Sequence, residues 1–184
     1  RYRKRFQFGR NWQRFLTKLS EERIKEAECS LKNMLDVKGL SGKTFLDVGS
    51  GSGLFSLAAK NLGANVVSFD FDKSSVWCTK ELKNRFYKTN TDWKIIHGSI
   101  LDKKFLVSLG KFDYVYSWGV LHHTGNMWNA LDNVIDLVKQ EGVLFLALYN
   151  HQQLASKYWI FVKKTYNKIP FTRPLWIFIH FLYP

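Results

Sequence analysis

The stretch that decides the fold runs from Lys43 to Gly63, KTFLDVGSGSGLFSLAAKNLG. Lys43 to Val48 is a short apolar run of strand character, Asp47-Val48-Gly49-Ser50-Gly51-Ser52-Gly53 is a glycine-rich turn, and Leu54, Leu57, Ala58 and Leu62 then recur at helical spacing up to a closing Gly63. Strand, tight loop and helix in this order form the first half of a βαβ unit. Three glycines at alternate positions let a backbone turn sharply and let a ligand approach with no Cβ atom in the way.

The same alternation continues outward. Downstream, Ala64 to Phe69 (ANVVSF) is a second buried strand ending at Asp70, and Lys73 to Tyr87 is a helix with Asp72 or Ser74 as its cap. Asp92 to His97 is a third strand, Phe112 to Ser117 a fourth, Met127 to Lys139 a helix, and Gly142 to Tyr149 a fifth strand. Upstream, Ser20 caps a helix in which Ile24, Ala27, Leu31, Met34 and Leu35 share a face and which Gly39 stops. Apolar runs such as VVSF and VLFLALY lack strict alternation, which suits strands covered on both faces. The expected fold class is therefore α/β, a Rossmann-like, doubly wound, mainly parallel sheet with helices on both faces. After Asn150, Leu154, Tyr158, Phe161, Val162 and Tyr166 mark one more helix, ended by Pro170, whereas residues 171 to 184 show no clear period.

In an open parallel sheet the glycine turn lies at the carboxyl edge, where ligands bind. A dinucleotide fingerprint needs a small residue at position 54, and Leu54 stands there, so the third glycine comes one residue early. Asp70, 21 residues beyond Gly49 at the end of the second strand, supplies the second half of the signal. A carboxylate at that point accepts hydrogen bonds from a ribose diol.

These residues resemble the class I S-adenosylmethionine-dependent methyltransferases. The resemblance covers roughly residues 40 to 150 and rests on LDVGSGSG (46 to 53), SFDFD (68 to 72), HGSILD (97 to 102) and FDYVYSWGVLHH (112 to 123). It implies S-adenosylmethionine as cofactor and S-adenosylhomocysteine as product. By resemblance, Asp47, Gly49, Ser50, Gly51 and Gly53 lie along the methionine part, Asp70 holds the ribose and Phe71 packs on adenine. Ser99, Ile100 and Asp102 come from the segment reaching the adenine edge; the family often has Asp directly after Gly98, where this chain has Ser99, so Ser99 and Asp102 share that role as alternatives. The stretch Ser117 to Thr124 is similar to the version in small-molecule and quinone-type methyltransferases, and FGRNW (8 to 12), EERIKEAECSLKNML (21 to 35) and SWGVLHHTGNMWNAL (117 to 131) look like a bacterial subgroup of them. The tetrapeptide Asn/Asp-Pro-Pro-Tyr of amine-directed nucleic-acid enzymes and the Pro-Cys of cytosine enzymes are absent. The resemblance also implies a final antiparallel strand pair; five strands can be counted, so that pair is expected to be missing from this chain, and Arg1 in place of an initiator Met fits a partial chain.

Methyl transfer from a sulfonium needs alignment above all, and a base only where the acceptor must lose a proton. His122 and His123, on the loop after the fourth strand, are the candidate catalytic residues. Trp12, Phe8 and Trp118 are candidates to shield a sulfonium, a contact worth about 0.5–2 kcal/mol for a cation over an aromatic face. No metal is expected: the two cysteines, Cys29 and Cys78, form no cluster with histidine, and their scarcity points to a reduced, cytoplasmic setting.

The chain has 184 residues, of which 46% are hydrophobic and 16% aromatic, a balance that excludes disordered and fibrous classes. Its net charge of +13 is concentrated at the two ends. Residues 1 to 20 hold seven basic residues and 142 to 184 hold five, with no acid in either, and the middle is almost neutral. Such ends suggest an anionic partner: a substrate phosphate, nucleic acid or an anionic membrane surface. The expected organisation is a basic lid and helix over 1–39, a cofactor-binding core over 40–150 and a basic, aromatic helical segment over 151–184. Leu175 to Tyr183 is apolar but interrupted by His180 and too short to span a bilayer; packing and peripheral membrane contact are its two readings. The leading function is methylation of a small molecule, glycan or lipid intermediate of anionic character, with an RNA methyltransferase and a non-catalytic binding module as alternatives.

Overall fold

β1 (Thr44–Val48) lies at the centre of a five-stranded, all-parallel sheet, between β2 (Asn65–Asp70) and β4 (Phe112–Trp118), with β3 (Trp93–His97) beside β2 and β5 (Val138–Ala147) beside β4. The chain thus moves outward from β1 to β3 on one side and then crosses back to build β4 and β5 on the other. The computed structural model describes residues 9–89, 92–150 and 153–182, in two compact units that divide after Leu148. Phe8 and the basic residues Arg1, Arg3, Lys4 and Arg5 lie outside the described residues.

Successive side chains of β1 point to opposite faces, and both faces are buried. Phe45 joins one core with Leu31, Leu57, Leu82 and Trp93, contributed by α2 (Glu21–Leu35), α3 (Leu54–Asn61), α4 (Lys73–Phe86) and β3. α1 (Gly9–Leu16) adds Leu16 to the same core. Leu46 and Val48 join a second core with Val115, Leu106 of α5 (Lys103–Leu109) and Val134 of α6 (Met127–Ile135). The helices therefore cover both faces, the arrangement expected for a doubly wound sheet.

Local chemistry sets the helix ends. Ser20 accepts from the Arg23 amide at the start of α2, as expected, but the helix stops at Leu35 and not at Gly39: Asp36 takes the left-handed conformation (φ 53°) and returns its N–H to the Lys32 carbonyl. Asp72 caps α4 through the Ser74 amide. α5 was not anticipated; Asp102 starts it by accepting from the amides of Lys104 and Phe105. α6 ends at Ile135, so Lys139 belongs to β5, which begins at Val138 and not at Gly142. Val138 pairs with Phe112, the register then shifts, and Lys139 reaches Asp113 at 2.9 Å. Hydrogen bonds from the Thr44 hydroxyl and amide, and then Lys139, hold the Asp113 carboxyl well below its usual range. In the second unit, α7 (Gln153–Lys168) ends before Pro170 as expected, and the aperiodic tail contains α8 (Arg173–Leu182).

Leu57 of α3 is fully buried where α2 and α3 meet the sheet, whereas Val107 of α5 is exposed. Urea denaturation of Leu57→Ala is expected to show a loss of about 2–5 kcal/mol. Val107→Ala should stay within about 0.5 kcal/mol of the parent; equal costs for both would contradict this core.

Candidate functional site

At the carboxyl edge of the sheet, the loops leaving β1 and β4 run in opposite directions, because the chain after β1 goes to β2 and the chain after β4 goes to β5. The crevice opened by that divergence is where open α/β sheets receive ligands. Gly49, Gly51 and Gly53 all adopt positive φ (80°, 56° and 83°), so this turn is closed to most side chains. Gly49 and Ser50 donate their amides to the Phe69 carbonyl, at 2.8 and 3.1 Å, which ties the loop to the tip of β2.

Asp70 completes the tie. One carboxylate oxygen accepts the Gly51 N–H at 3.0 Å and the other accepts the Asp72 N–H at 2.8 Å. Burial raises its pKa, opposed by these amides. The Phe71 amide adds to these, and the two oxygens together offer about four acceptor sites, more than these amides fill. Phe71 follows with its ring 57% exposed, 6.3 Å from the His97 ring, while its carbonyl lies 2.9 Å from His97 Nε2.

The glycines serve packing as well as the turn. A Cβ on Gly51 would sit 3.1 Å from the Trp12 indole, so α1 lays Trp12 across the loop. A Cβ on Gly49 would strike Val120, in the loop after β4, and one on Gly53 would strike Thr79 of α4. Thr79 Oγ1 also lies 3.0 Å from the Ser50 hydroxyl. Val120, Thr79 and Trp12 therefore fix the loop from three sides, and only Trp12 was singled out by sequence.

Beneath the loop Asp47 is 3% exposed and accepts a short hydrogen bond from the Ser56 hydroxyl. With Asp47 ionised, the chain of donation has one direction: Trp93 Nε1 donates to Ser68 (2.9 Å), Ser68 to Ser56 (2.7 Å), and Ser56 to Asp47. Burial dominates nonetheless and pushes the Asp47 carboxyl up to about 7. Asp47 supports the loop from below; its side chain is committed to this network. Tyr116 is its register partner on β4 and is 1% exposed, with a hydroxyl that has no hydrogen-bond partner among the described residues. Burial, and then the Asp47 charge, raise the Tyr116 phenol. Ser56, Ser68 and Tyr116 escaped sequence reading, although a lone serine inside VVSF or LFSLAA is the trace such a network leaves.

Trp118, half-exposed at the end of β4, stacks at 6.0 Å on Phe145 and 6.2 Å on Phe55, forming an aromatic platform beside the crevice. The next residues form a short 3₁₀ turn, Leu121–His123, anchored by the buried Leu121, with the His122 and His123 rings 4.0 Å apart. Both imidazoles are held below the usual histidine value, His122 by burial and then by His123, and His123 by burial.

The segment after β3 begins beside the tip of β2. The Gly98 amide donates to the Asp70 carbonyl, placing Ser99 close to the β2 tip, and the Ser99 hydroxyl accepts from Leu101 N–H. Ile100 points into the second core and its carbonyl is held by Asn133 at 2.8 Å, so its side chain is packing. Asp102 is engaged as the cap of α5.

A recess of about 640 Å³ lies apart from this crevice, along α4 and β3, and is lined by Lys80, Lys83, Lys88, Trp93 and Lys94. A smaller one of about 310 Å³ begins directly after Gly53, at Leu54 and Phe55, and includes Phe15, Arg23 and Glu26.

A family profile described as a methyltransferase domain matches residues 46–144. The chain is 27% identical over 112 residues to the ubiquinone biosynthesis O-methyltransferase of Glaesserella parasuis, covering 61% of this chain and 48% of that one. It is 30% identical over 115 residues to the mitochondrial ubiquinone biosynthesis O-methyltransferase of Schizosaccharomyces pombe, covering 62% and 41%. The chain thus spans about half the length of the curated relatives it matches. Among solved structures, a Methanococcus maripaludis protein assigned as an S-adenosyl-L-methionine-dependent methyltransferase superposes with a TM-score of 0.64 at 16% identity, over 95% of this chain and 80% of that one. The magnesium protoporphyrin IX methyltransferase of Synechocystis PCC 6803, solved with S-adenosylhomocysteine, superposes with a TM-score of 0.59 at 17% identity, over 77% and 62%. At these identities the superpositions speak for the fold: it is that of class I methyltransferases.

The Asp47 network has a signature in pH. Its carboxyl titrates near 4 when unfolded and near 7 when folded, so between those values the folded chain binds more protons and stability falls as pH rises. The stability of the parent minus that of Asp47→Asn is expected to decline across this window, with a slope of up to about 1.4 kcal/mol per pH unit, and to level off above it. A flat difference in urea titrations at successive pH values would contradict the buried carboxyl.

Proposed function

Because the chain belongs to the methyltransferase-domain family, we propose that it transfers a methyl group from S-adenosylmethionine to a small, anionic acceptor, releasing S-adenosylhomocysteine. The observation that carries this reading is the Asp70 carboxylate, held at the sheet tip on the Gly51 amide with lone pairs to spare for a ribose diol. Gly49, Ser50, Gly51 and Gly53 would follow the methionine part, Phe71 would stack on adenine, Ser99 would face its edge, and Trp12 and Trp118 would close over the sulfonium.

The cofactor brings its own activated methyl and leaving group. The chain's work is then to align an acceptor and exclude water, which is chiefly positional. His122 and His123, neutral at pH 7 because their pKa values are lowered, are suited to take a proton from an acceptor hydroxyl. Cysteine chemistry has no place in this scheme, since burial pushes the Cys78 thiol up to about 11 and Cys29 sits on α2. The free state of both cysteines is in keeping with a cytoplasmic setting.

That the relatives' names refer to ubiquinone biosynthesis and to a porphyrin supports a small-molecule acceptor. Arg23, beside Phe15 and Phe55 in the recess that opens after Gly53, supports an anionic one, with Glu26 on the same wall restricting how much negative charge it accepts. RNA is the second reading, drawn from the lysine-lined groove along α4 and β3, although Lys83 there is committed to the Trp93 carbonyl at 2.6 Å.

Calorimetry with S-adenosylmethionine tests the premise. The parent should bind, and Asp70→Ala should bind at least about tenfold more weakly, the worth of one charge-assisted hydrogen bond. Parent-like affinity in that variant overturns the ribose assignment, and no binding by the parent would leave only a non-catalytic module. Turnover, once an acceptor is found by mass spectrometry of extract incubated with labelled cofactor, should fall only below the ordinary histidine value of about 6.5. His122→Ala or His123→Ala should lower kcat about 10²–10⁴-fold with cofactor affinity unchanged. Full turnover in both removes the base. Activity should weaken only shallowly with salt; a steep dependence would favour RNA.

A further inference from the structure

β3 forms one edge of the sheet, and its outer main-chain groups have no strand opposite. In the parallel pairing with β2, the Val66 amide donates to the Asp92 carbonyl and the Gly98 amide to the Asp70 carbonyl. That register turns the main-chain groups of Lys94 and Ile96 inward to β2 and those of Trp93, Ile95 and His97 outward. The outward carbonyl of Trp93 is met by the Lys83 ammonium at 2.6 Å. Beyond it, the N–H and C=O groups of Ile95 and His97 continue the edge with no strand to pair with.

The recess of about 640 Å³ that follows this edge carries charge of one sign. α4 brings Lys80, Lys83 and Lys88 to it and β3 brings Lys94, and none of the described residues lining it is acidic. Successive side chains of a strand point to opposite faces. Trp93 and Ile95 belong to the first core, on the face that α4 covers, whereas Lys94 shares the other face with Ile96, which packs on the second core. Lysines therefore stand on both faces of the edge. Lys80, Lys88 and Lys94 are exposed. The acids that adjoin them in sequence are engaged elsewhere, Glu81 with Arg85 at 2.9 Å and Asp92 with Lys60 at 3.9 Å.

We propose that this edge takes up an extended acidic peptide segment, which adds a strand beside β3 and sets its carboxylates between the lysines. In strand addition the main-chain hydrogen bonds supply affinity and the side chains supply specificity. An added strand alternates its side chains between the two faces, so acids at neighbouring positions meet Lys80 and Lys88 on one face and Lys94 on the other. Two observations favour a peptide over a nucleic acid. The first is the row of outward strand groups at Ile95 and His97, which a peptide backbone complements. The second is that Trp93, the one ring lining the recess among the described residues, is fully buried with its indole N–H on Ser68, so it offers no face on which a base could stack. A second copy of this chain would bring the same lysines against the first across paired β3 edges. The charge that protects the edge from pairing with itself thus selects an acidic strand. This inference does not depend on the methyl-transfer reading.

Fluorescence anisotropy of the full chain with a labelled, end-capped peptide of glutamate and valine, about eight residues long to match a five-residue strand with overhangs, tests it. The peptide should bind at least about tenfold more tightly than its counterpart with lysine in place of glutamate, and salt should weaken the binding. The same peptide N-methylated throughout keeps its charge but cannot donate to the edge, and it should not bind. Lys80→Gln with Lys88→Gln and Lys94→Gln, three exposed changes, should lower affinity about tenfold while the far-ultraviolet circular dichroism spectrum stays unchanged. Hydrogen exchange at the Ile95 and His97 amides should slow when the peptide is bound. Failure of the acidic peptide to bind overturns the proposal, as does equal binding of its N-methylated form, which would leave a site for charge alone. So does tighter binding of a single-stranded uridine RNA of the same length in residues, which would give the groove to the RNA reading.

Discussion

A single carboxylate joins the two halves of the site: Asp70, at the tip of β2, holds the Gly51 amide of the loop that leaves β1 and the Asp72 amide that turns the chain into α4. Without it, a loop with three residues at positive φ would be defined by the Phe69 carbonyl, the Ser50–Thr79 hydrogen bond and local packing. A partly buried acid is costly unless donors surround it. Here the donors are backbone amides of the loop it shapes, so its energetic need and the loop's geometry are met together.

A second polar system lies below. Trp93, Ser68, Ser56 and Asp47 link β3, β2, α3 and β1 in one line of donation through an otherwise apolar layer. It connects the strands that position Asp70 to the strand that launches the glycine loop. Beside it, among stacked rings, Tyr116 carries a hydroxyl without a partner among the described residues, a group retained at some cost within the core. The aromatic layer continues to the surface at Trp118, so the hydrophobic packing of β4 and the platform at the crevice are one continuous stack.

Much of this was legible in the chain. The alternation of strands and helices, the order of the five strands along the sequence, the caps at Ser20 and Asp72, and the pairing of a glycine loop with Asp70 all rest on local chemistry that a sequence displays. Where the reading slipped, a tertiary demand had overridden a local signal. Gly39 looked like the stop of α2, yet Asp36 accepted a left-handed conformation first. Residues 136 to 139 look helical by periodicity, but Val138 finds a partner in Phe112 and Lys139 finds Asp113. The helix that Asp102 caps and the core position of Ile100 are likewise placements that the motif alone does not display.

What the sequence determined by itself was the class of fold, the loop and its acid, and the uneven charge of the chain, because propensity, glycine conformation and ionisation belong to single residues and their neighbours. What only the tertiary structure decided was which side chains close on that loop, the Trp93-to-Asp47 line of hydrogen bonds, and the lysine-lined outer edge of β3. Those contacts join residues from 9 positions apart, between Asp47 and Ser56, to 71 apart (120 − 49), between Gly49 and Val120, and no local rule carries information over most such separations. They exist because strand order brings distant segments side by side, and packing then selects the side chains that fit.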